Sequence, residues 1–354
     1  MIVVEAPDII VVGAGIIGVS LALELRTRGA SVTVLDRGMP GQEASSAAAG
    51  MLAAADPETP LPLREFALES ARIYPAFVAK LEKLSGISTD LRRHGAIIIG
   101  ELHTVPSEYR RLTVAELKTM EPALNIQNHS AHWLAEDSVD PVLLMKAALC
   151  SAELSGIHIR SGAEVEQVRP SGAQVEVLGK QFRLAARTVV DCRGAWSGAP
   201  VIPRKGQMLY LRPPGSGLVQ HVVRAPGAYI VPRSSGRILV GTTLEDAGFD
   251  KSVQIETIHQ LHNAAAQFVP ELASASVSEY WAGLRPGTPD DLPMMGPTDT
   301  PGLFIATGHF RNGILLAPLT AITMANIIEE KPAGLDVTAF APLRFARASV
   351  NKAS

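Results

Sequence analysis

A glycine-rich turn near the N-terminus constrains the fold more than any other feature of the chain. Residues 9–12 form an uncharged apolar run, and Gly13, Gly15 and Gly18 follow it in G-x-G-x-x-G spacing. Apolar residues then recur at helical spacing until Gly29, a helix-stop signal. A buried strand, a tight turn and a helix in this order form the start of a βαβ unit. The pattern therefore predicts a parallel sheet.

The spacing of the three glycines is typical of a dinucleotide-binding turn. Gly13 permits the tight turn, Gly15 lets the backbone approach a pyrophosphate, and Gly18 lets the helix pack close to the strand. A second predicted strand, residues 31–35, ends at Asp36, whose carboxylate can accept hydrogen bonds from ribose hydroxyls. A tight strand-to-helix turn that binds no ligand would explain the three glycines but not Asp36. We therefore expect a dinucleotide site, although this motif does not separate NAD from FAD.

A run of small residues, GQEASSAAAGML at 41–52, follows the second strand. Small side chains let a backbone pass close to a flat or charged group, which suits a bound cofactor. The alternative is the start of a small-residue helix with no ligand.

Composition excludes several classes of protein. The net charge of −3 argues against nucleic-acid binding. Cys150 and Cys192 have no metal or redox spacing, which favours a reducing compartment. Two uncharged stretches, 9–23 and 312–328, are short, and the second contains Pro318, so we expect buried elements and no membrane span. The N-terminus lacks the basic region of a signal peptide, so a cytoplasmic location is expected.

The rest of the chain alternates between sheet-forming and inserted segments. Apolar runs separated by turn residues predict strands at 95–100, 205–244, 276–284 and 303–309, a hairpin turn at 234–236, and a β-meander over 163–187. Helices are predicted over 64–84, 140–154, 253–268 and 313–329, with Pro75 as a kink or break. Residues 188–196 read as a return to the parallel sheet, and Pro286-Gly287 as a turn back toward it.

Five segments spread from residue 11 to residue 318 carry a family resemblance: VVGAGIIG, SSAAAGML, YIVPRSSGRILVGTT, WAGLRPGTPD and GHFRNGILLAP. The chain resembles the FAD-dependent amine and D-amino acid oxidases, and within them the glycine oxidases of thiamine biosynthesis. The resemblance implies an α/β fold: a doubly wound, Rossmann-like FAD-binding domain with a discontinuous α+β substrate domain that contains a large antiparallel sheet. The implied FAD-binding domain comprises residues 1–80, 140–203 and 286–354, and the substrate domain 81–139 and 204–285.

The same resemblance implies which residues hold a non-covalent FAD. Besides the three glycines, Ile16 and Ile17 would lie at the phosphates, and Asp36, Arg37 and Val165 at the adenosine. The path from pyrophosphate to flavin would be lined by Ala44, Ser45, Ala49, Gly50 and Met51. The flavin ring would be flanked by His309, Phe310, Arg311, Asn312, Gly313, Ile314 and Leu315. Cys192 is expected as a small core residue and not as a covalent flavin attachment.

The resemblance also implies a substrate site. Arg285 would hold the substrate carboxylate, Tyr229 would donate a hydrogen bond to it, and Arg311 would add positive potential. A guanidinium presents parallel donors that fit a carboxylate. The structural alternative is an ion-paired arginine at a strand end and a core tyrosine. His259 and His262 on a helix, and His129 and His132 in a predicted loop, show no metal-ligand pattern, and no metal is expected.

The expected reaction is oxidative deamination of glycine, sarcosine or small D-amino acids such as D-alanine. Hydride transfer to flavin and reoxidation by dioxygen would give an imine or α-keto acid, ammonia and hydrogen peroxide. The expected use of the product is thiazole formation in thiamine biosynthesis. Gly227, Ala228 and Leu244 depart from the glycine-oxidase pattern and leave the substrate open. Two alternatives stay open, a D-amino acid or sarcosine dehydrogenase using a quinone or carrier, and a non-catalytic FAD-binding protein. The expected partners are a small amine or amino acid, dioxygen and further copies of the chain in a homo-oligomer.

Overall fold

The computed structural model describes residues 7–101, 108–215 and 217–345. Residues 1–6 and 346–354 of the predicted FAD-binding domain lie outside the described residues, as do residues 102–107 and 216 of the predicted substrate domain. The described residues form seven α-helices: α1 (Ile16–Thr27), α2 (Ala44–Ala47), α3 (Leu61–Ser85), α4 (Val114–Met120), α5 (Pro141–Leu154), α6 (Ile255–Phe268) and α7 (Gly313–Ile328).

Six strands form a mostly parallel sheet. Numbered along the chain, they are β1 (Ile9–Val12), β2 (Val32–Leu35), β6 (His158–Arg160), β10 (Thr188–Asp191), β16 (Met294–Pro297) and β17 (Leu303–Thr307). Their spatial order is β16-β17-β10-β1-β2-β6. All neighbouring pairs are parallel except β16 with β17. The predicted βαβ unit is therefore confirmed, with β1 at the centre and α1 leading to β2.

Eight strands form a second sheet in the order β15-β11-β14-β13-β12-β3-β5-β4. It is antiparallel apart from the β12–β3 pair. Its strands are β3 (Ala96–Ile99), β4 (Arg110–Arg111), β5 (Ala131–Leu134), β11 (Ile202–Arg212), β12 (Val222–Ala225), β13 (Ala228–Pro232), β14 (Ile238–Gly241) and β15 (Ser276–Gly287). They come from the segments assigned to the substrate domain, although β11 begins and β15 ends just outside them; the domain boundaries stay a prediction.

The parallel sheet is covered differently on its two faces. Helices α1, α3, α5 and α7 pack together on one face, where they form the largest apolar core. The other face packs against the predicted β-meander, formed by β7 (Gln167–Ser171), β8 (Gln174–Gly179) and β9 (Phe182–Ala186). The predicted α/β class is confirmed, but a three-stranded sheet takes the place that a doubly wound fold gives to a second helical layer.

Local sequence signals account for where several helices begin. Thr113 and Glu116 form a capping box at the start of α4. Asp140 accepts hydrogen bonds from the first backbone N–H groups of α5. Pro75 does not end α3, which continues through it to Ser85. Tertiary packing on α7 and α5 outweighs the hydrogen bond that proline removes.

One helical stretch of the described residues, Phe310–Ile328, is long and apolar enough to span a membrane by length and composition, and 61% of its most apolar window is buried inside the molecule. This stretch contains α7, which packs against α1 and α3. Contact with other helices on several sides explains why a core helix can be apolar around its whole circumference.

Three sequence expectations are corrected by the fold. His132 lies in β5 and not in a loop. Val165 precedes the meander, since its first strand, β7, begins at Gln167. Pro286 and Gly287 continue β15, where they pair with Pro203 and Ile202 of β11, and form no turn. Strand pairing decided the cases of His132, in β5, and of Pro286 and Gly287, in β15, because such pairing depends on tertiary context more than on local propensity.

Candidate active site

A cavity of about 460 Å³ lies between the two sheets, at the carboxyl ends of the parallel strands. Crevices at this edge of an open α/β sheet are the usual place for ligands. Every residue predicted for FAD or substrate lines the cavity except Gly18 and Leu315. The structure therefore brings together segments from residue 12 to residue 314 in one site.

The glycine turn is shaped by close backbone packing. Gly13 has a φ of +108°, and a Cβ there would lie 2.6 Å from the carbonyl carbon of Cys192. A Cβ on Gly18 would clash with the carbonyl oxygen of Gly13. Gly18 thus serves helix packing behind the cavity wall, the role that its place in the motif predicted. Gly15 has no such backbone neighbour and faces the cavity.

Two side chains organise the backbone of this turn. The carboxylate of Asp36 accepts hydrogen bonds from the N–H groups of Ala14, at 2.8 Å, and Gly38, at 2.9 Å. Ser45 Oγ accepts from the N–H of Ile16 at 2.9 Å. Both side chains line the cavity, so polar groups surround the start of α1, where a phosphate would be attracted.

The small-residue run is needed because the second sheet approaches it closely. Trp281 Nε1 donates to the carbonyl of Ala47 at 3.1 Å. A Cβ on Gly283 would lie 2.6 Å from the Ala47 side chain. Gly50 has a φ of +78°, and a Cβ there would lie 2.9 Å from Pro141 Cδ. Larger residues on this run would therefore separate the two sheets.

Arg233, which follows β13, links the second sheet to the small-residue run and to the start of α5, and sequence reasoning missed it. Its buried guanidinium donates to the carbonyls of Ala49, at 2.6 Å, and Val139, at 2.8 Å. Asp140 lies 3.8 Å away and balances its charge. The signal was present in the motif YIVPR, which was used only to support the resemblance.

One end of the cavity is closed by Arg37 and Trp196. The Arg37 guanidinium lies 3.7 Å from the centre of the Trp196 ring, a cation–π contact, and pairs with Glu43 at 3.1 Å. Val165 is buried nearby in the same lining as Asp36. Trp196 was missed, although its position after the strand β10 matches that of the glycine turn after β1.

The loop before α7 forms another wall. His309 is buried, its Nε2 lies 3.1 Å from Thr320 Oγ1, and burial lowers the pKa of its imidazole to about 3. The ring is therefore neutral at physiological pH. Phe310 has a φ of +45°, which is unusual for a bulky residue. Leu315 points away from the cavity: it is buried in the helical core, and its carbonyl accepts from Ser70 Oγ at 2.7 Å.

Arg285 projects into the cavity without an acidic partner. Its Nη2 donates to Thr242 Oγ1 at 2.8 Å and its Nη1 to the carbonyl of Thr243 at 3.2 Å. No carboxylate of the described residues forms an ion pair with it. A cation in a partly buried site attracts an anion, because burial without one is costly. The structure therefore leaves room for a ligand carboxylate at Arg285.

Tyr229 lies beside this guanidinium. It pairs across the sheet with Gly241, the residue before Thr242, and a Cβ on Gly241 would lie 2.7 Å from the Tyr229 ring. Burial raises the pKa of the phenol, and the charge of Arg285 partly opposes that rise. The phenol thus stays protonated and can donate a hydrogen bond.

Arg311 lines the same cavity but is already paired. Its Nη1 contacts the carboxylate of Glu58 on the loop between α2 and α3. This ion pair is exposed to solvent, so it holds the arginine weakly. The positive potential expected from Arg311 is reduced while Glu58 stays in place.

A second buried arginine was not predicted. Arg224 contacts the carboxylates of Asp56, at 2.9 Å, and Glu136. Burial raises the pKa of the Glu136 carboxyl to about 7. Arg224 and Asp56 line the cavity. Nothing in the local sequence links these three residues, which come from separate segments.

The family model described as FAD dependent oxidoreductase, DAO, matches residues 8–327. The chain belongs to the DAO family of FAD-dependent oxidoreductases. The glycine oxidase of Geobacillus kaustophilus is 34% identical over 366 residues, which cover 95% of this chain and 97% of that protein. Its crystal structure superposes with a TM-score of 0.90 at 32% identity and covers 96% of this chain and 98% of that one.

A further DAO relative is the bifunctional protein ThiO/ThiG of Nostoc sp., 35% identical over 350 residues. The match covers 92% of this chain but 53% of that protein. The chain thus spans about half the length of the curated bifunctional relatives that it matches.

The residues of this DAO chain fit its FAD cofactor. The open backbone at Gly15, the N–H groups at the start of α1 and the small-residue run suit a pyrophosphate and a flat ring system. Cys192 lies against the glycine turn, and burial raises the pKa of its thiol. It stays protonated, which disfavours a covalent bond to flavin. No group of three or more potential metal ligands occurs among the described residues.

Proposed function

We propose that this enzyme oxidatively deaminates glycine and other small amines or D-amino acids. The observation that carries the proposal is the pairing of an acid-free Arg285 with Tyr229 in the cavity that fits FAD. A guanidinium and a phenol together bind a carboxylate through directed, charge-assisted hydrogen bonds. The names of the glycine oxidase relatives support this substrate class.

Each residue has a positioning role in the proposed reaction. Arg285 anchors the substrate carboxylate through its planar fork. Tyr229 donates a further hydrogen bond to the same carboxylate. The walls at Phe310 and Met51 enclose the remainder of a small substrate. Holding one Cα–H bond in a fixed orientation lowers the barrier by removing the entropy of alignment.

The cofactor supplies a two-electron acceptor for the hydride that leaves Cα. In the overall reaction the amine becomes an imine, water converts the imine to an α-keto acid and ammonia, and dioxygen is reduced to hydrogen peroxide. The scheme requires no side chain to abstract the Cα proton, and His309 in the cavity wall is buried, neutral and hydrogen-bonded to Thr320. The protein contributes position and electrostatics.

We further propose that the imine of glycine is used for thiazole formation in thiamine biosynthesis. The match to one half of a ThiO/ThiG protein supports this assignment. A homo-oligomeric state and a cytoplasmic location remain predictions.

Anaerobic titration tests the proposal directly. Glycine, sarcosine or D-alanine added to the purified holoenzyme should bleach the flavin absorption. If none of them does so, the proposed substrate class is wrong. Admitting oxygen should then yield one hydrogen peroxide per substrate oxidised; flavin bleaching without peroxide would favour the dehydrogenase alternative.

A further inference from the structure

Arg224 and Tyr229 are direct partners across the antiparallel pair β12–β13. Directly opposed residues project their side chains on the same face of a sheet, about 5 Å apart at Cβ. On its other side Tyr229 opposes Gly241, which precedes the Thr242 that binds Arg285. Tyr229 therefore stands between two arginines, Arg285 and Arg224, on the face that lines the cavity.

The two arginines differ in their charge balance. Arg285 has no carboxylate partner among the described residues, whereas Arg224 contacts both Asp56 and Glu136. Because two carboxyl groups already contact the single guanidinium of Arg224, the cluster has no unpaired positive charge with which to bind a further anion. A substrate that anchors its carboxylate at Arg285 would therefore extend toward Arg224 with a group other than a second carboxylate.

The cluster also has hydrogen-bonding capacity that the protein does not use. Arg224 Nε and Glu136 Oε1 are buried and have no partner among the described residues. The Arg224 side chain is 15% exposed and that of Asp56 is 25% exposed, and both residues line the cavity. A guanidinium has five N–H donors, so donors are left after its two acidic partners. The adjacent carboxylate is an acceptor, so this wall offers a donor and an acceptor side by side.

We propose that Arg224, held by Asp56 and Glu136, is a specificity-determining residue that favours small D-amino acids whose side chain ends in an uncharged hydroxyl. The inference rests on the proposed function. A hydroxyl both donates and accepts, and so matches this wall. An alkyl group of the same size would leave the polar wall without partners, and sites built to form hydrogen bonds strongly reject analogues that lack them.

D-Serine and D-2-aminobutyrate test the inference, because they differ only by a hydroxyl in place of a methyl group. We expect kcat/KM of the holoenzyme for D-serine to exceed that for D-2-aminobutyrate by about tenfold, the equivalent of one net hydrogen bond. Arg224→Met keeps an unbranched but shorter side chain and removes its donors. It should lower the ratio to about one.

Two further variants keep the test decisive. Arg224→Met leaves the buried Glu136 without its cation, so Arg224→Met/Glu136→Gln should give the same ratio in a better folded protein. Arg237→Met is the matched control: Arg237 pairs with Glu279 in the same sheet at 2.7 Å and does not line the cavity. Its ratio should equal that of the wild type.

Binding without turnover gives a second readout. D-Glycerate and D-2-hydroxybutyrate carry the same two side chains with a hydroxyl in place of the amine. D-Glycerate should bind the holoenzyme more tightly than D-2-hydroxybutyrate does. Arg224→Met should abolish this difference between their dissociation constants. If glycine is oxidised but the preference is absent, or survives in both Arg224 variants, the inference is wrong and the proposed function stands. If neither glycine nor the D-amino acids reduce the flavin, both are wrong.

Discussion

Arg285 lies directly over Gly206, so that a Cβ on Gly206 would lie 2.6 Å from the Arg285 guanidinium carbon. The two residues are on paired strands, β15 and β11. The absence of a side chain at Gly206 lets the guanidinium reach across β11 to Thr242 and Thr243. The position of the proposed carboxylate anchor thus depends on a glycine that has no side chain of its own to bind a substrate.

Gly206→Ala should displace the guanidinium and raise KM for glycine by roughly tenfold or more, because small misplacements of an anchoring group are costly. The clash involves only the end of a flexible side chain, so the free energy of unfolding should change little. Gly198→Ala, at a position with open space around it, is the control. Equal KM values in the two variants would contradict the prediction.

Arg285→Ala should retain FAD and the fold but lose affinity for carboxylated substrates. Removal of charge-assisted hydrogen bonds is expected to raise KM for glycine on the order of 100-fold. Simple amines without a carboxylate should be affected far less. Steady-state kinetics with glycine and with an alkylamine, together with the ratio of FAD to protein, would measure this. Unchanged glycine affinity would refute the central assignment.

Gly15→Val should weaken FAD binding without unfolding the protein. Gly15 has a φ of −73°, which valine can adopt, and its Cβ position lies 3.2 Å from Ser45 Oγ. A branched side chain there would occupy the cavity beside the first N–H groups of α1. We expect the dissociation constant of FAD to rise by about tenfold or more. Gly198→Val is the control, and equal FAD content in both proteins would argue against the role.

The Glu136 carboxyl should make stability depend on pH. Burial raises its pKa from 4.5 to about 7, so the folded protein keeps a proton that the unfolded chain has lost over this range. The stabilisation is complete below pH 4.5 and disappears as the pH rises to about 7. Relative to wild type, Glu136→Gln should therefore gain roughly 1–3 kcal/mol of unfolding free energy between pH 5 and pH 8. Denaturant titrations at both pH values would test this, and a parallel pH dependence in the two proteins would refute it.

FAD should be released when the holoenzyme is denatured. Cys192 is buried against the glycine turn with the pKa of its thiol raised, so it is a poor nucleophile toward flavin. After acid precipitation the yellow colour should stay in the supernatant, and the mass of the intact polypeptide should equal that of the chain alone. A mass increased by that of FAD would show a covalent link.

Much of the dinucleotide-binding part of the site could be predicted from sequence. The contacts of Gly18 with Gly13 and of Asp36 with Ala14 are local, within one βαβ unit, and the spacing of the motif predicts them directly. The resemblance implied the substrate-binding role of Arg285, and the structure adds the hydrogen bonds that orient its guanidinium.

The sequence by itself determined the order of elements, the nucleotide-binding turn and the family, since these rest on periodicity and on contacts between near neighbours. Only the tertiary structure decided that Gly206 makes room for Arg285, that Arg233 contacts the small-residue run, and that Arg224 meets Asp56 and Glu136. Each of these relationships joins segments far apart in the chain. Such contacts depend on strand register and on the way the sheets pack, and no local pattern encodes either of them.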